Sequence, residues 1–345
     1  MKFIWKHVWV IAAGLFVVGI VLAILGFIFG GKSVVWDSRG IHAAKAETYD
    51  FSETLSGGFN SINVNADHAS IFLIPAAEYS YEIHYVQDGD SEPSAELKDG
   101  TLNIIAKSNF TFVNFDLSLF SFNRRDESYI KIYYPKNSKF SDVTLKCGLN
   151  GISGADFITN TLYVNADLGS VTFGGIGSDK SDFTLDLGSL KLSDSSLGEL
   201  TVDDSNGSVN VKSITALTSD FELELGGLDI SDSALGALTV NNSNGSVNIS
   251  RSNTVSADLR LSLGSAKLEG DFLGRTKITN SNGSIEFRAA RPEREYGYSL
   301  NCDLGSVYVN GNKIGKNENV RNDSASNHLD LYSDLGSIKV WFGGE

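Results

Sequence analysis

From Gly169 to Gly283 a glycine returns every 19 residues, and a short phrase returns with it. The phrase is Leu-Gly-Ser or Asn-Gly-Ser followed by alternating apolar residues. It reads Leu168-Gly169-Ser170-Val171, Leu187-Gly188-Ser189-Leu190, Asn206-Gly207-Ser208-Val209 and onward to Asn282-Gly283-Ser284-Ile285. Two further copies, at Gly305 and Gly336, follow after intervals of 22 and 31 residues. A fixed period near 20 residues with small insertions is the mark of a solenoid, in which one unit cannot bury its apolar side alone and neighbours must stack.

Each unit carries two strand patterns. After the glycine, Val209 and Val211, or Leu228 and Ile230, alternate with polar residues. Before it, Phe221, Leu223 and Leu225 do the same. Period two means one face buried and one wet. At the glycine the alternation skips a beat, which a corner requires if both strands are to face one interior. Glycine tolerates the backbone angles of such a corner. The fold class is therefore all-β, a parallel β-helix or β-solenoid.

A second period lies inside the first. Asn206, Asn244 and Asn282 are 38 residues apart, and so are Leu187, Leu225 and Leu263. One coil could hold 19 residues, with Leu and Asn corners alternating up a single edge. Alternatively it could hold 38, with like corners stacked on separate edges. The second reading stacks identical side chains, and Asn ladders hydrogen-bond along a stack, so it is the one favoured here.

The chain of 345 residues has a formal charge of −14 and no basic cluster, which argues against nucleic acid as a partner. Its 35 glycines, with abundant Ser, Asn and Asp, suit tight corners. Residues 1–32 read as one transmembrane helix, an uncleaved anchor. The segment 8–29 is uncharged and long enough to cross a bilayer, and it supplies the contact with lipid. Lys2 and Lys6 precede it and favour a cytoplasmic N-terminus with the remainder exported; Lys32 weakens that asymmetry slightly. The rival is a signal peptide cleaved near Ala44-Lys45-Ala46, but that site lies far beyond a long apolar run. Gly26 and Gly30 are read as ordinary apolar-helix glycines rather than a pairing face.

Residues 33–57 read as a stalk. Without residues 1–32 the chain keeps 42 acidic and 25 basic residues, a charge of −17, which disfavours lying flat on anionic lipid. Residues 58–150 read as degenerate repeats and capping strands, with strands expected at Tyr81–Val86, Thr101–Lys107, Tyr129–Tyr134 and Asp142–Cys147 and a turn at Pro135–Ser138. Phe59 to Asp67 resembles Leu162 to Asp167, so the repeat begins here. Residues 151–345 are the regular solenoid. The aromatic run Phe110 to Phe122 reads as a plug for the open end, with a partner contact as the alternative. The segments 288–296 and 310–327 read as surface loops. Trp341 and Phe342 are expected to cover the last rung.

Chemistry-bearing residues are sparse. Cys147 and Cys302 continue apolar alternations and read as buried core thiols; a disulfide would require distant rungs to meet. His7, His42, His68, His84 and His328 show no metal-ligand spacing. His68 beside Asp67 and Ser70 invites a triad, but no nucleophile elbow accompanies it. Gly174 to Asp179 matches a single calcium-binding nonapeptide start, and one copy does not complete a site. Asp194, Asp203, Asp204 and Asp232 read as turn acids. No catalytic, cofactor or metal site is assigned.

The lysine-flanked N-terminal helix, the strand Ile130-Lys131-Ile132-Tyr133-Tyr134-Pro135-Lys136 and the Gly-Ser-Val-x-Val rungs resemble the bacterial family named as putative adhesins, over roughly residues 50–345. The resemblance implies a right-handed β-helix-like fold and an envelope location, and transfers no site. The expected function is a single-pass membrane protein with an extracytoplasmic solenoid that binds an envelope protein or polysaccharide without catalysis, as an adhesin or as an accessory in envelope stress or signalling. Alternatives are a self-assembling envelope scaffold and a polysaccharide-active enzyme. Acids spread over many corners, with no cluster on one strand face, weigh against the enzyme.

Overall fold

The computed structural model describes residues 15–16, 18–19, 33–37, 40–43, 46–88, 92–107, 113–116, 127–320, 322 and 324–344. The chain divides into two units. The smaller contains a three-stranded antiparallel sheet in which Ser33–Asp37 lies between Gly40–Ala43 and Val113–Asp116. Strands thus occupy part of the expected stalk. The aromatic run contributes a strand of that sheet, and the rest of it lies outside the described residues.

The larger unit is one long, mostly parallel sheet, as a solenoid requires. In the coil after Gly207, the short strand Val209–Lys212 points Val209 and Val211 inward. The chain turns at Ser213, whose φ is +54°. The long strand Thr215–Leu225 then serves two sides, because its alternation breaks at Leu217 and Thr218, both exposed. Ala216, Phe221 and Leu223 face the interior. Rungs are in lateral register: Phe183 pairs with Val202, Val202 with Phe221, Phe221 with Val240 and Val240 with Leu259. Large and medium side chains alternate up this column and fill the interior.

The corners correct the expectation of separate edges. Leu187 pairs with Asn206, Asn206 with Leu225 and Leu225 with Asn244. Both corner types share one edge, and partners lie 19 residues apart. What alternates every second rung is the residue two places earlier. Leu185, Leu223 and Leu261 are apolar, whereas Asp204, Asn242 and Asn280 are buried polar residues. Asn242 Nδ2 donates to Gly226 O at 3.1 Å and Asn280 Nδ2 to Gly264 O at 2.9 Å. On the rungs of Asn242 and Asn280 this alternate polar residue satisfies a corner carbonyl.

Both ends are threaded out of sequence order. Asn282 pairs with Leu335, so the rung containing Asn327–Leu335 stacks directly on Arg275–Asn282. The rung containing Tyr296–Leu304 lies beyond it. Antiparallel strands Asn312–Gly315 and Asn317–Val320 pair with that outer rung. The expected loop 310–327 is thus in part a cap. Trp341 and Phe342 belong to the inner of these two rungs, and Phe342 packs on Tyr296 and Tyr298 at 5.3 and 5.4 Å. At the opposite end Thr101–Ala106 is paired by antiparallel Ser94–Lys98, and Tyr129–Pro135 by antiparallel Ser80–Asp88. Such strands occupy rung edges that would otherwise template aggregation. The expected strands at 81–86, 101–107, 129–134 and 142–147 are all present within a residue or a few of their expected bounds. Ile62, Val143 and Leu162 share one column, as the degenerate repeat implied.

The expected membrane span 8–29 lies almost wholly outside the described residues, of which Leu15, Phe16, Val18 and Gly19 are helical. Among the described residues no helix is long and apolar enough to cross a membrane.

Candidate functional site

The most chemically equipped concavity lies where the first rungs meet their antiparallel cap. The sequence Ser-Tyr-Glu-Ile-His-Tyr from Ser80 alternates, so Tyr81, Ile83 and Tyr85 turn inward and Glu82 and His84 outward. Tyr129, Lys131 and Tyr133 turn outward on the neighbouring strand for the same reason. Register then sets Tyr129 against His84, Lys131 against Glu82 and Tyr133 against Ser80. Cross-strand neighbours at this spacing interact directly.

Glu82 is the hub. Tyr129 donates to Oε1 at 2.5 Å, Tyr133 donates to Oε2 at 3.2 Å and Lys131 Nζ lies 3.6 Å away. The Tyr129 hydrogen bond, aided by Lys131, holds the Glu82 carboxyl below the usual glutamate range. Tyr129 is correspondingly pushed up to about 12, chiefly by that same bond. Lys131 also sits 3.9 Å from the Tyr129 ring centre, and His84 stacks on the ring at 5.3 Å. His84 Nδ1 donates to Asp50 at 2.7 Å, and the Tyr81 hydroxyl donates to Glu53 at 2.9 Å. Burial first, then Glu53, raises Tyr81 to about 12.

A cleft of about 510 Å³ opens among Asp50, Glu53, Ser80, Tyr81, Glu82 and Tyr133. Its tyrosine hydroxyls are committed to carboxylates and stay protonated. The carboxylates keep lone pairs to spare. The cleft is thus fixed, rich in acceptors and flanked by the Tyr133 ring. It suits a ligand that brings hydrogen-bond donors and an apolar face. A second concavity of about 940 Å³ runs over several rungs past Ile158, Gly177, Ser196, Leu217, Gly236 and Val255. Its lining is mostly small or apolar and offers few orienting groups.

The residues singled out in the sequence fall elsewhere. Cys147 and Cys302 are buried free thiols, and each donates to a backbone carbonyl near a corner. Burial raises the Cys147 thiol to about 11, an unreactive state. His68 faces Tyr85, whose hydroxyl lies 3.0 Å from Nδ1, an aromatic contact rather than a nucleophile pair. Among the histidines whose side chains are described, only His84 borders the cleft, through its bond to Asp50. His7 lies outside the described residues. Gly175 of the nonapeptide match sits at φ +67°, in the corner column also filled by Asp156, Asp194, Ser213 and Asp232. That glycine serves a turn, and among the described residues no three His, Cys, Asp or Glu groups could hold a metal ion. Asp194 and Asp232 are turn acids with φ of +51° and +55°. Asp204 is not: it points inward and is wholly buried. The cleft itself escaped sequence reading because it joins three distant segments. The one local sign was the acid and histidine alternating outward from Glu82.

Residues 59–299 match the model of the family described as Toastrack DUF4097. No curated protein matches the chain. Among solved structures, a putative adhesin from Bacteroides fragilis is 14% identical, with 86% of this chain and 97% of that one covered and a TM-score of 0.39. A putative lipid binding protein from Parabacteroides distasonis is 14% identical, covering 86% and 96%, with a TM-score of 0.36. A putative adhesin from Parabacteroides merdae is 13% identical, covering 68% and 97%, with a TM-score of 0.30.

Proposed function

We propose, since this chain belongs to the Toastrack DUF4097 family, that it is a membrane-anchored, extracytoplasmic solenoid wound in 19-residue coils that binds polysaccharide at the cell envelope without transforming it. The observation that carries the reading is the cleft around Glu82. Its carboxylates are held in place by tyrosine hydroxyls, and Tyr133 offers a ring beside them. A sugar ring supplies the complement, hydroxyl donors on its rim and an apolar face of C–H groups. Residues 8–29 supply the anchor, and the flanking lysines orient it.

The test is binding of cell-wall oligosaccharides to the full-length chain, screened on an array and measured by calorimetry on the best binder. Glu82→Gln removes a charged acceptor, worth about 1.5–3 kcal/mol, so affinity falls roughly tenfold to a hundredfold. Tyr133→Ala weakens binding by a similar factor. Glu222→Gln, exposed on a distant rung, changes nothing. Equal affinities for all variants would remove the cleft from the function. Cleavage of the same oligosaccharides would replace the binding protein with an enzyme.

Topology has its own test. Protease added to intact cells should destroy a tag fused to the C-terminus while a cytoplasmic control survives. If the tag also survives on wall-stripped cells and is lost only on lysis, the solenoid faces the cytoplasm and the envelope reading fails.

A further inference from the structure

We propose that Asp204 is a proton-operated latch in the middle of the solenoid: neutral, it closes the corner between Gly188 and Gly207, and ionised, it loosens that corner. The argument begins with the column of inward residues two places before each corner. Cys147, Asn242, Asn280, Ser333 and Cys302 stand in that column, and all of them donate to a corner carbonyl. Cys147 Sγ reaches Asn150 O at 3.3 Å, Asn242 Nδ2 reaches Gly226 O at 3.1 Å and Asn280 Nδ2 reaches Gly264 O at 2.9 Å. Ser333 Oγ reaches Gly283 O at 3.2 Å and Cys302 Sγ reaches Gly336 O at 2.9 Å.

Asp204 occupies the same place relative to Gly188. Asn242 and Asn280 each donate to the glycine 16 residues earlier, and the same offset from Asp204 gives Gly188. A methyl group built on Gly207 would meet both Gly188 O, at 1.5 Å, and Asp204 Oδ2, at 3.0 Å, so the two oxygens line the same small space. A carboxylate there sets an acceptor against an acceptor. Only the protonated acid can donate as its counterparts do.

The surroundings favour the neutral form. Asp204 is 0% exposed, and apart from the backbone N–H of Asn206 in its own turn neither carboxyl oxygen has a hydrogen-bond partner among the described residues. Leu185 and Leu223 lie above and below it in the column. Val209 and Leu190, on the short strands across the corner, present no charge. The charge that acts on it is Asp203, its outward neighbour; Asp186 and Glu224, on the exposed faces of the adjacent rungs, are also acidic. Burial pushes the Asp204 carboxyl up to about 6; the backbone N–H of Asn206 opposes this and Asp203 adds to it. With the folded value above the unfolded value of 3.8, the folded chain holds the proton more tightly. Its contribution is complete below about pH 4 and is lost as the pH rises to about 6.

Full-length protein and Asp204→Asn are compared by urea unfolding at pH 4 and pH 7.5. The asparagine restores a donor that needs no proton. At pH 7.5 the variant's unfolding constant should be roughly a hundredfold smaller than that of the natural protein, and at pH 4 the two should agree within a few-fold. Equal stability at both pH values, or a variant weaker at pH 7.5, overturns the latch. Amide exchange on the natural protein gives a second measure that needs no variant. After correction for intrinsic rates, protection at Gly188 and Gly207 should fall between pH 4 and pH 7.5 relative to Gly245 and Gly264. A constant ratio overturns the proposal even if the variant does not fold.

Discussion

Gly226→Ala will unfold the solenoid, whereas Gly227→Ala, one residue on, will leave it as stable as before or slightly more so. The two glycines sit side by side in Leu225-Gly226-Gly227-Leu228. Gly226 has φ +146°, and a methyl group built on it would lie 1.5 Å from Gly207 O on the rung before. That oxygen belongs to rigid backbone in a column of close approaches, so it cannot yield without parting two rungs. The expected loss is at least about 4 kcal/mol, in the range reserved for such steric failures. Gly227 stands in the column of Ser208 and Ser246, and its added methyl would meet Ser246 O at an ordinary 3.5 Å. Removing glycine's freedom from the unfolded chain contributes about 0.4–1 kcal/mol. Urea midpoints of both variants decide the matter. A Gly226→Ala protein within about 1 kcal/mol of the natural chain would mean that the corners are looser than their spacing implies.

That contrast shows what the sequence alone makes legible. The repeat, the corner at each glycine and the inward set of apolar residues depend on local spacing, and the period-two pattern exposes them. The coil size does not follow from spacing, because alternating Leu and Asn corners fit either reading. The strand register carries the answer, pairing Leu187 with Asn206 and Asn206 with Leu225, while the buried donors Asn242 and Asn280 find their acceptors on the neighbouring rung. Asp204, Asn242 and Asn280 stay hidden because a polar residue buried beneath a corner looks, in sequence, like a polar residue at a corner. The exchanged order of the last two rungs is hidden for a similar reason: Asn282 could stack on Leu304 or Leu335 with the same apolar pattern, and only long-range pairing chooses Leu335. The Glu82 cleft needs residues 50–54, 80–83 and 133 at once. No motif spans that distance, so the site appears only when the cap strand is laid against the rung.

Phe157→Ala should cost about 3–5 kcal/mol, the usual penalty for emptying a fully buried aromatic site. Phe157 is 0% exposed and joins Tyr134, Phe140 and Phe173 at ring distances of 6.0, 6.0 and 6.1 Å. The chain of rings continues to Phe59 and Tyr79 on one side and to Phe183 on the other. Among the described residues no such run links the middle rungs, where Val202, Phe221 and Val240 alternate. Phe157→Leu keeps most of the volume and should cost less than about 1.5 kcal/mol. Because each rung touches only its neighbours, the damage should also be local. Amide exchange should show Leu145 and Val164 losing protection while Ile278 and Leu331, paired near the far end, keep theirs. The cleft would feel the change, since Tyr133 and Tyr134 share one strand. Oligosaccharide binding should weaken as the first rungs open and recover in Phe157→Leu. Uniform loss of protection along the whole chain would mean that the solenoid unfolds as one block. The aromatic run would then stabilise the entire stack rather than the end that carries the cleft.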